Sequence, residues 1–196
     1  MIKKSNFKAT IVLPAHNEEQ NLPELIEALF SFWSKYIYEI IIVNDSSTDN
    51  TRKVSEKLRR RFKKIRIINR NPPNGVGNAL RDGYKAVNPK CEWTLSMDSD
   101  FIYNVPELKR LFQIAKKGKV DGVIGSRYIK QSNLVNYPFF KKISNRLYHL
   151  LLKYSLHIKQ MDLTNNFKLY KTPIFKSIKW KSADFSINAE TGLFPI

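Results

Sequence analysis

Apolar residues recur along this chain with two alternating periods. Ala9–Leu13 is a largely apolar run that stops at Pro14. Behind it Leu22, Leu25, Ile26, Leu29 and Trp33 follow the i, i+3, i+4, i+7 spacing of one buried helix face. Asn21 with Glu24 three residues on reads as the start of that helix, and Pro23 is tolerated in its first turn. Glu39–Val43 is apolar and β-branched, a buried strand by composition. From about Asp49 a second helix shows Val54, Leu58 and Phe62, with a basic outer face at Arg59-Arg60-Arg61-Phe62-Lys63-Lys64. Ile65–Ile68 reads as a third strand, Val76–Val87 as a helix and Trp93–Met97 as a fourth strand. Pro106 opens a helix with Leu108, Leu111, Phe112 and Ala115 on one face, and Val120–Ile124 is a fifth strand. Such βαβα alternation predicts an α/β three-layer sandwich with a mostly parallel central sheet. In these sheets ligands bind beyond the carboxyl ends of the strands.

Polar loops fall at those ends. They are Pro14-Ala15-His16-Asn17-Glu18-Glu19, Asn44-Asp45-Ser46-Ser47-Thr48-Asp49, Asn71-Pro72-Pro73-Asn74-Gly75-Val76-Gly77 and Asp98-Ser99-Asp100. Any one of them reads as a turn and helix cap, Asp49 above all. Four in series at matching strand ends point to one site. Asp98 and Asp100 would face the same mouth and repel unless a cation sits between them. A hard divalent ion bound also to phosphate oxygens is the usual solution. Gly75-Val76-Gly77 lacks the third glycine of a dinucleotide fingerprint and does not follow a first strand.

The run Ile11-Val12-Leu13-Pro14-Ala15-His16-Asn17-Glu18-Glu19-Gln20-Asn21-Leu22 resembles the first motif of family 2 glycosyltransferases, which have the GT-A (Rossmann-like) fold. Ile42–Asp49 resembles the second motif and Asp98-Ser99-Asp100 the Asp-x-Asp. Gly125-Ser126-Arg127-Tyr128 and Asp162–Tyr170 are similar to motifs of the dolichyl- and polyprenyl-phosphate sugar transferase branch. The resemblance implies an inverting, metal-dependent transfer of a hexose from a nucleoside diphosphate sugar. Glu18 and Asp45 would contact the nucleoside, with Pro14, Asn17 and Ser99 beside them. Asp98 would sit near the ribose or the metal, and Asp100 would hold Mg²⁺ or Mn²⁺ against the diphosphate, helped by Lys168. Arg127 and Arg146 would bind an acceptor phosphate, a task suited to guanidinium geometry. Asp162 is either a base or a loop-holding carboxylate, and Glu190 matches a family carboxylate of underived role. The chain also departs from the pattern. Ile102 stands where Gln or His is frequent, Asn44 replaces the first Asp of a pair, and Asn165-Asn166 stands where Ser-Gly or Gly-Ser is usual. The resemblance implies a further strand and basic loop beyond Pro195-Ile196, so a truncated or naturally short form is expected.

Acceptor chemistry separates the alternatives. A sugar hydroxyl needs a carboxylate to take its proton. A lipid monophosphate, with a second pKa of about 6, arrives largely ionised and attacks unaided. No Glu-Asp pair and no Gln-x-x-Arg-Trp segment of the polysaccharide-forming relatives is present. The preferred acceptor is therefore a polyprenyl phosphate. A cell-envelope glycan hydroxyl and a non-catalytic basic nucleotide- or nucleic-acid-binding module are the alternatives, and no nucleic acid partner is expected.

Composition adds limits. With 196 residues, 42% hydrophobic and 12% aromatic, a single folded domain is expected. About residues 1–125 would bind the nucleotide sugar and about 126–196 the acceptor. One cysteine, Cys91, excludes an internal disulfide and suits a reducing compartment. No signal pattern opens the chain, and no run reaches the ~18–20 apolar residues of a bilayer span. A cytoplasmic protein, peripheral at the membrane, is expected. The net charge of +17 is uneven: residues 1–100 hold 17 Lys/Arg against 12 Asp/Glu, residues 101–196 hold 17 against 5. That basic half suits polyanionic partners, although a Lys/Asn/Ile-rich coding bias produces the same charge. Over Asn145–Lys159, Leu147, Leu150, Leu151 and Tyr154 form an apolar stripe flanked by cations. It reads either as a helix in the bilayer interface or as a core helix with a solvated basic face.

Overall fold

The computed structural model describes residues 7–126, Leu147, Leu150, Tyr154 and residues 162–195. Six strands form one sheet: β1 (Ala9–Ala15), β2 (Ile37–Asp45), β3 (Ile65–Arg70), β4 (Trp93–Ser96), β5 (Gly122–Ile124) and β6 (Lys168–Lys171), in the order β3-β2-β1-β4-β6-β5. The first four in that order are parallel neighbours, whereas β6 runs antiparallel to both β4 and β5. The sheet is mostly parallel, as the alternation predicted.

Alternate residues of the central strands feed two cores, because side chains in a strand point to opposite faces in turn. Ile11 and Leu13 of β1, with Ile40 and Ile42 of β2, join α1 (Asn21–Trp33), α2 (Thr51–Arg61) and α4 (Leu108–Lys116) in one cluster. Val12, Ile41 and Val43 point the other way, against Ala79, Leu80 and Tyr84 of α3 (Val76–Ala86). Phe175 of α5 (Thr172–Ser177) and Ile187 of α6 (Ile187–Leu193) complete that second layer with Trp180. All seven residues of β1 are buried, as expected of a strand covered on both faces.

Three local expectations are corrected. Strand β1 does not stop at Pro14 but continues to Ala15, paired with Asn44 of β2. Proline is tolerated because β4 pairs with β1 only as far as Val12–Ser96. Met97 N–H donates to the Val12 carbonyl, so Val12 and, two residues on, Pro14 face the β4 side, where the ladder has ended and no partner needs an N–H. Asn21 is the first helical residue rather than a cap; its Nδ2 donates to Glu18 Oε2 at 2.6 Å. Pro106 lies in a 3₁₀ turn, Ile102–Glu107, and α4 begins at Leu108.

Beyond Val12 and Ser96, β1 and β4 part. Helical connections leave this point in opposite directions, to β2 on one side and into the β4 loop on the other. It is the switch point of a doubly wound sheet, where a crevice opens outside the strand ends.

Candidate active site

The first two polar loops are laced together at one side of that crevice. Asn17 adopts a left-handed conformation, φ 59°, which asparagine tolerates better than most residues. Its Oδ1 accepts from Thr48 N–H at 2.8 Å, and its own N–H donates to Ser47 Oγ at 3.0 Å. Glu18 N–H donates to Thr51 Oγ1 at 2.7 Å and Glu19 N–H to Asp49 Oδ2 at 3.2 Å. Asp49 Oδ1 accepts from Thr51 N–H, so this carboxylate holds the start of α2, as its sequence position suggested. Asn17 thus ties the first polar loop to the second through its amide oxygen.

Asp45, buried at the end of β2, pairs with Arg70 at the end of β3, the residue directly opposite it in register. Asp45 Oδ2 also accepts from Gly75 N–H at 2.6 Å, and Arg70 Nε reaches Asp82 Oδ2 at 2.7 Å. His16 Nδ1 lies 2.7 Å from the Asp45 carbonyl oxygen. Sequence reasoning missed Arg70, Asp82 and His16. Only the strand-end position of Arg70 could have marked it among so many cations.

The Asp-x-Asp loop forms the other side. Ser99 is buried and donates from Oγ to the Pro14 carbonyl at 2.7 Å, tying the loop to β1. Asp98 is partly buried, and Asn166 Nδ2 donates to its Oδ1 at 2.6 Å. Burial pushes the Asp98 carboxyl up to about 6; the Asn166 hydrogen bond works against this, Asp100 and Glu18 add to it, and Lys168 opposes it. Asp100 is exposed. Burial also raises Glu18, opposed by its Asn21 hydrogen bond and reinforced by the charges of Asp100 and Asp49. Glu18, Asp49, Asp98 and Asp100 therefore share one field at the crevice.

Other expected site residues lie elsewhere. Lys168 was expected at the diphosphate, but its side chain is fully buried, with Nζ donating to Asn188 O at 2.5 Å and Thr191 Oγ1 at 2.7 Å. It acts on the cleft as a charge behind Asp98 and anchors α6. Glu190 holds a strap instead of facing the cleft: it accepts from Lys181 N–H at 2.9 Å, Ser182 N–H at 3.0 Å and Ser182 Oγ at 2.5 Å. Burial would raise its carboxyl, yet these bonds hold it below the ordinary value. The strap's Ala183 carbonyl accepts from Gly77 N–H at 2.9 Å. A Cβ at Gly77 would lie 2.3 Å from Ser182 O, so the close approach requires glycine. Asp162 is buried and its carbonyl accepts from Asn165 N–H in a turn. Arg127 and Arg146 lie outside the described residues. Of the apolar stripe, Leu147, Leu150 and Tyr154 are helical and 59%, 43% and 75% exposed, which counts against the core-helix reading.

Among the described residues no three His, Cys, Asp or Glu side chains close on one point, and no helix is long and apolar enough to cross a membrane. Asp98 and Asp100 suit instead a cation that takes its remaining ligands from phosphate oxygens and water.

The chain matches the family model "Glycosyl transferase family 2" over residues 10–179. It is 29% identical over 140 residues to the dolichol-phosphate mannosyltransferase of Pyrococcus furiosus, covering 71% of this chain and 39% of that protein. It is 24% identical over 179 residues to glycosyltransferase AglD of Haloferax volcanii, covering 89% and 28%. The chain thus spans well under half the length of these two relatives. Glucosyl-3-phosphoglycerate synthase of Mycobacterium tuberculosis, solved with Mn²⁺ and UDP-glucose, superposes with a TM-score of 0.70 at 18% identity, covering 96% of this chain and 64% of that one. A doubly wound α/β domain with acidic loops at its switch point is the architecture of a GT-A glycosyltransferase. The chain belongs to glycosyltransferase family 2.

Proposed function

We propose that this protein moves a hexose from a nucleoside diphosphate sugar to a polyprenyl phosphate, with inversion, at the cytoplasmic face of a membrane. The observation that carries the reading is the convergence of the first, second and Asp-x-Asp loops at the β1/β4 strand ends, with Ser99 Oγ on the Pro14 carbonyl and Glu18 N–H on Thr51 Oγ1. The charge of Asp100 raises the Asp98 carboxyl, and a divalent cation between the two would relieve that repulsion. The donor set fits Mg²⁺ or Mn²⁺ held by Asp98 and Asp100. Bound there, the ion supplies Lewis-acid neutralisation of the leaving nucleoside diphosphate.

The chain's own groups do the rest. Asp45, both of whose oxygens are held inside the protein by Arg70 and Gly75 N–H, is assigned to the nucleobase by the motif resemblance. Pro14 and Asn17 shape the wall beside Glu18, and Ser99 keeps the Asp-x-Asp loop on β1. The acceptor phosphate is already ionised, so its oxygen attacks the anomeric carbon as the diphosphate departs, and no general base is required. Asp162 is buried, with its carbonyl accepting from Asn165 N–H, and is read as a loop-holding carboxylate. Arg127 and Arg146 are assigned to that phosphate by the motif resemblance. The exposed Leu147, Leu150 and Tyr154 suit contact with the lipid interface.

Calorimetry tests the donor half. Mn²⁺ should tighten UDP or GDP binding at least about tenfold, a coupling of about 1.4 kcal/mol, and Asp100→Ala should abolish that gain. If metal changes neither affinity, the transferase reading loses its basis. Arg127→Ala should slow transfer to polyprenyl phosphate while leaving donor affinity within about twofold; equal loss of both would assign Arg127 to the donor or the fold.

A further inference from the structure

Asn166 has no part in the proposed transfer, and it occupies a position where Ser or Gly is usual. Its side chain is 1% exposed and joins three segments of the fold. Tyr84 OH, from α3, donates to Ser96 Oγ at 3.0 Å; Ser96, on β4, donates in turn to Asn166 Oδ1 at 2.5 Å. Asn166 Nδ2 then donates to Asp98 Oδ1 at 2.6 Å. Tyr84 and Ser96 are as buried as Asn166, so water does not substitute for a lost partner.

The direction of this relay is set at its Asp98 end. An ionised carboxylate only accepts, so the amide must turn its N–H₂ towards Asp98 and its oxygen towards Ser96. Ser96 accepts from Tyr84 and gives its own proton to Asn166 Oδ1, so the amide direction is fixed by Asp98. A flipped amide would face oxygen to oxygen at Asp98. One carboxylate oxygen of Asp98 is therefore engaged inside the protein, and Oδ2 is the one left for the cleft. A glycine or serine at position 166 has no group that spans from Ser96 to Asp98 in this way.

We propose that Asn166 is a positioning residue of this chain, which fixes the Asp98 carboxylate so that Oδ2 is presented to the cation of the donor diphosphate. The proposal rests on the reading of the crevice as a metal–diphosphate site. It predicts a split between metal-free and metal-assisted binding that general loosening of the fold does not produce.

The test is calorimetry of the full chain with UDP and GDP, each with and without Mn²⁺, together with free-Mn²⁺ electron paramagnetic resonance as a direct count of bound metal. In Asn166→Ala the gain in nucleotide affinity from Mn²⁺ should fall about tenfold, and half-saturating Mn²⁺ should rise about tenfold, with metal-free affinity within about twofold of wild type. Ser96→Ala leaves the donor to Asp98 in place and frees its orientation; a loss of about threefold is expected, which supplies the answer if Asn166→Ala fails to fold. A wild-type Mn²⁺ gain retained in full by both variants overturns the proposal and leaves the metal site standing. Equal loss of metal-free and metal-assisted binding also overturns it, because Asn166 would then support the pocket generally. A wild type with no Mn²⁺ gain overturns the metal site itself, and the proposal with it.

Discussion

Asp98→Asn should stabilise the unliganded protein at neutral pH while lowering sugar transfer by at least about 100-fold, since one of the two carboxylates proposed to hold the cation is lost. The stability gain follows from linkage. Burial raises the folded-state Asp98 carboxyl to about 6, above its ordinary 3.8, so the folded protein holds this proton more tightly than the unfolded chain. Above pH ~6 both states are ionised, and the folded state carries the whole penalty of a poorly solvated charge. A rise of that size corresponds to about 3 kcal/mol, which the partial exposure of the carboxylate reduces to about 2 kcal/mol. As pH falls from about 6 to about 4 the folded state takes up the proton and the penalty disappears. The variant keeps an oxygen to accept from Asn166 Nδ2, so that bond survives. Melting curves at pH 7.5 should show Asp98→Asn about 4–8 °C above wild type, with the difference shrinking towards pH 4.5. A gain that does not change with pH, or a loss at neutral pH, would refute this account. The residue is then held for function at a cost in stability, as expected where a charge is kept ready for a ligand.

Much of this architecture is written in hydrophobic periodicity, and what escaped detection has a common cause. The β1, β2 and β4 runs and the α1 and α4 faces could be read directly because burial on one or both sides demands apolar residues at period 2 or 3.6. Strand β6 was hidden: Lys168-Leu169-Tyr170-Lys171 alternates weakly, and its buried lysine looks like a solvent residue in the sequence. Its antiparallel insertion between β4 and β5 is a long-range pairing with no local signature. The polar loops were placed at the right strand ends, yet their individual roles were not legible. Asn17, Ser99 and Glu190 spend their hydrogen bonds on other loops or on the strap at 181–183, and such assignments depend on which distant residue comes within 3 Å. Arg70 escaped for the same reason. Its meaning comes from the register that sets it opposite Asp45.

Arg70→Met should therefore unfold the protein far more readily than any surface arginine change. Arg70 and Asp45 form a nearly enclosed pair, with side chains 12% and 4% exposed, and Asp82 shares the guanidinium. Removing the cation leaves the Asp45 carboxylate with Gly75 N–H as its remaining hydrogen-bond donor in a site that water scarcely reaches. Breaking one side of a buried ion pair costs about 3–5 kcal/mol, whereas Arg59→Met, which breaks a solvent-accessible pair with side chains 54% and 35% exposed, should cost under about 1 kcal/mol. The same change should weaken nucleoside diphosphate binding, because Asp45, the carboxylate proposed to meet the nucleobase, would lose the clamp that fixes it. The double variant Arg70→Met/Asp45→Asn separates the two consequences. Neutralising the stranded carboxylate should restore at least about 1.5 kcal/mol of stability, since the uncompensated charge is what destabilises the single variant, yet nucleotide affinity should stay low because the carboxylate proposed to meet the base is gone. Urea titrations and calorimetry on the three proteins decide it. If the double variant is no more stable than Arg70→Met, lost packing of the arginine stem accounts for most of the destabilisation, and Asp45 is better solvated than its surroundings indicate. If it regains stability and nucleotide affinity together, the nucleobase is read elsewhere in the crevice.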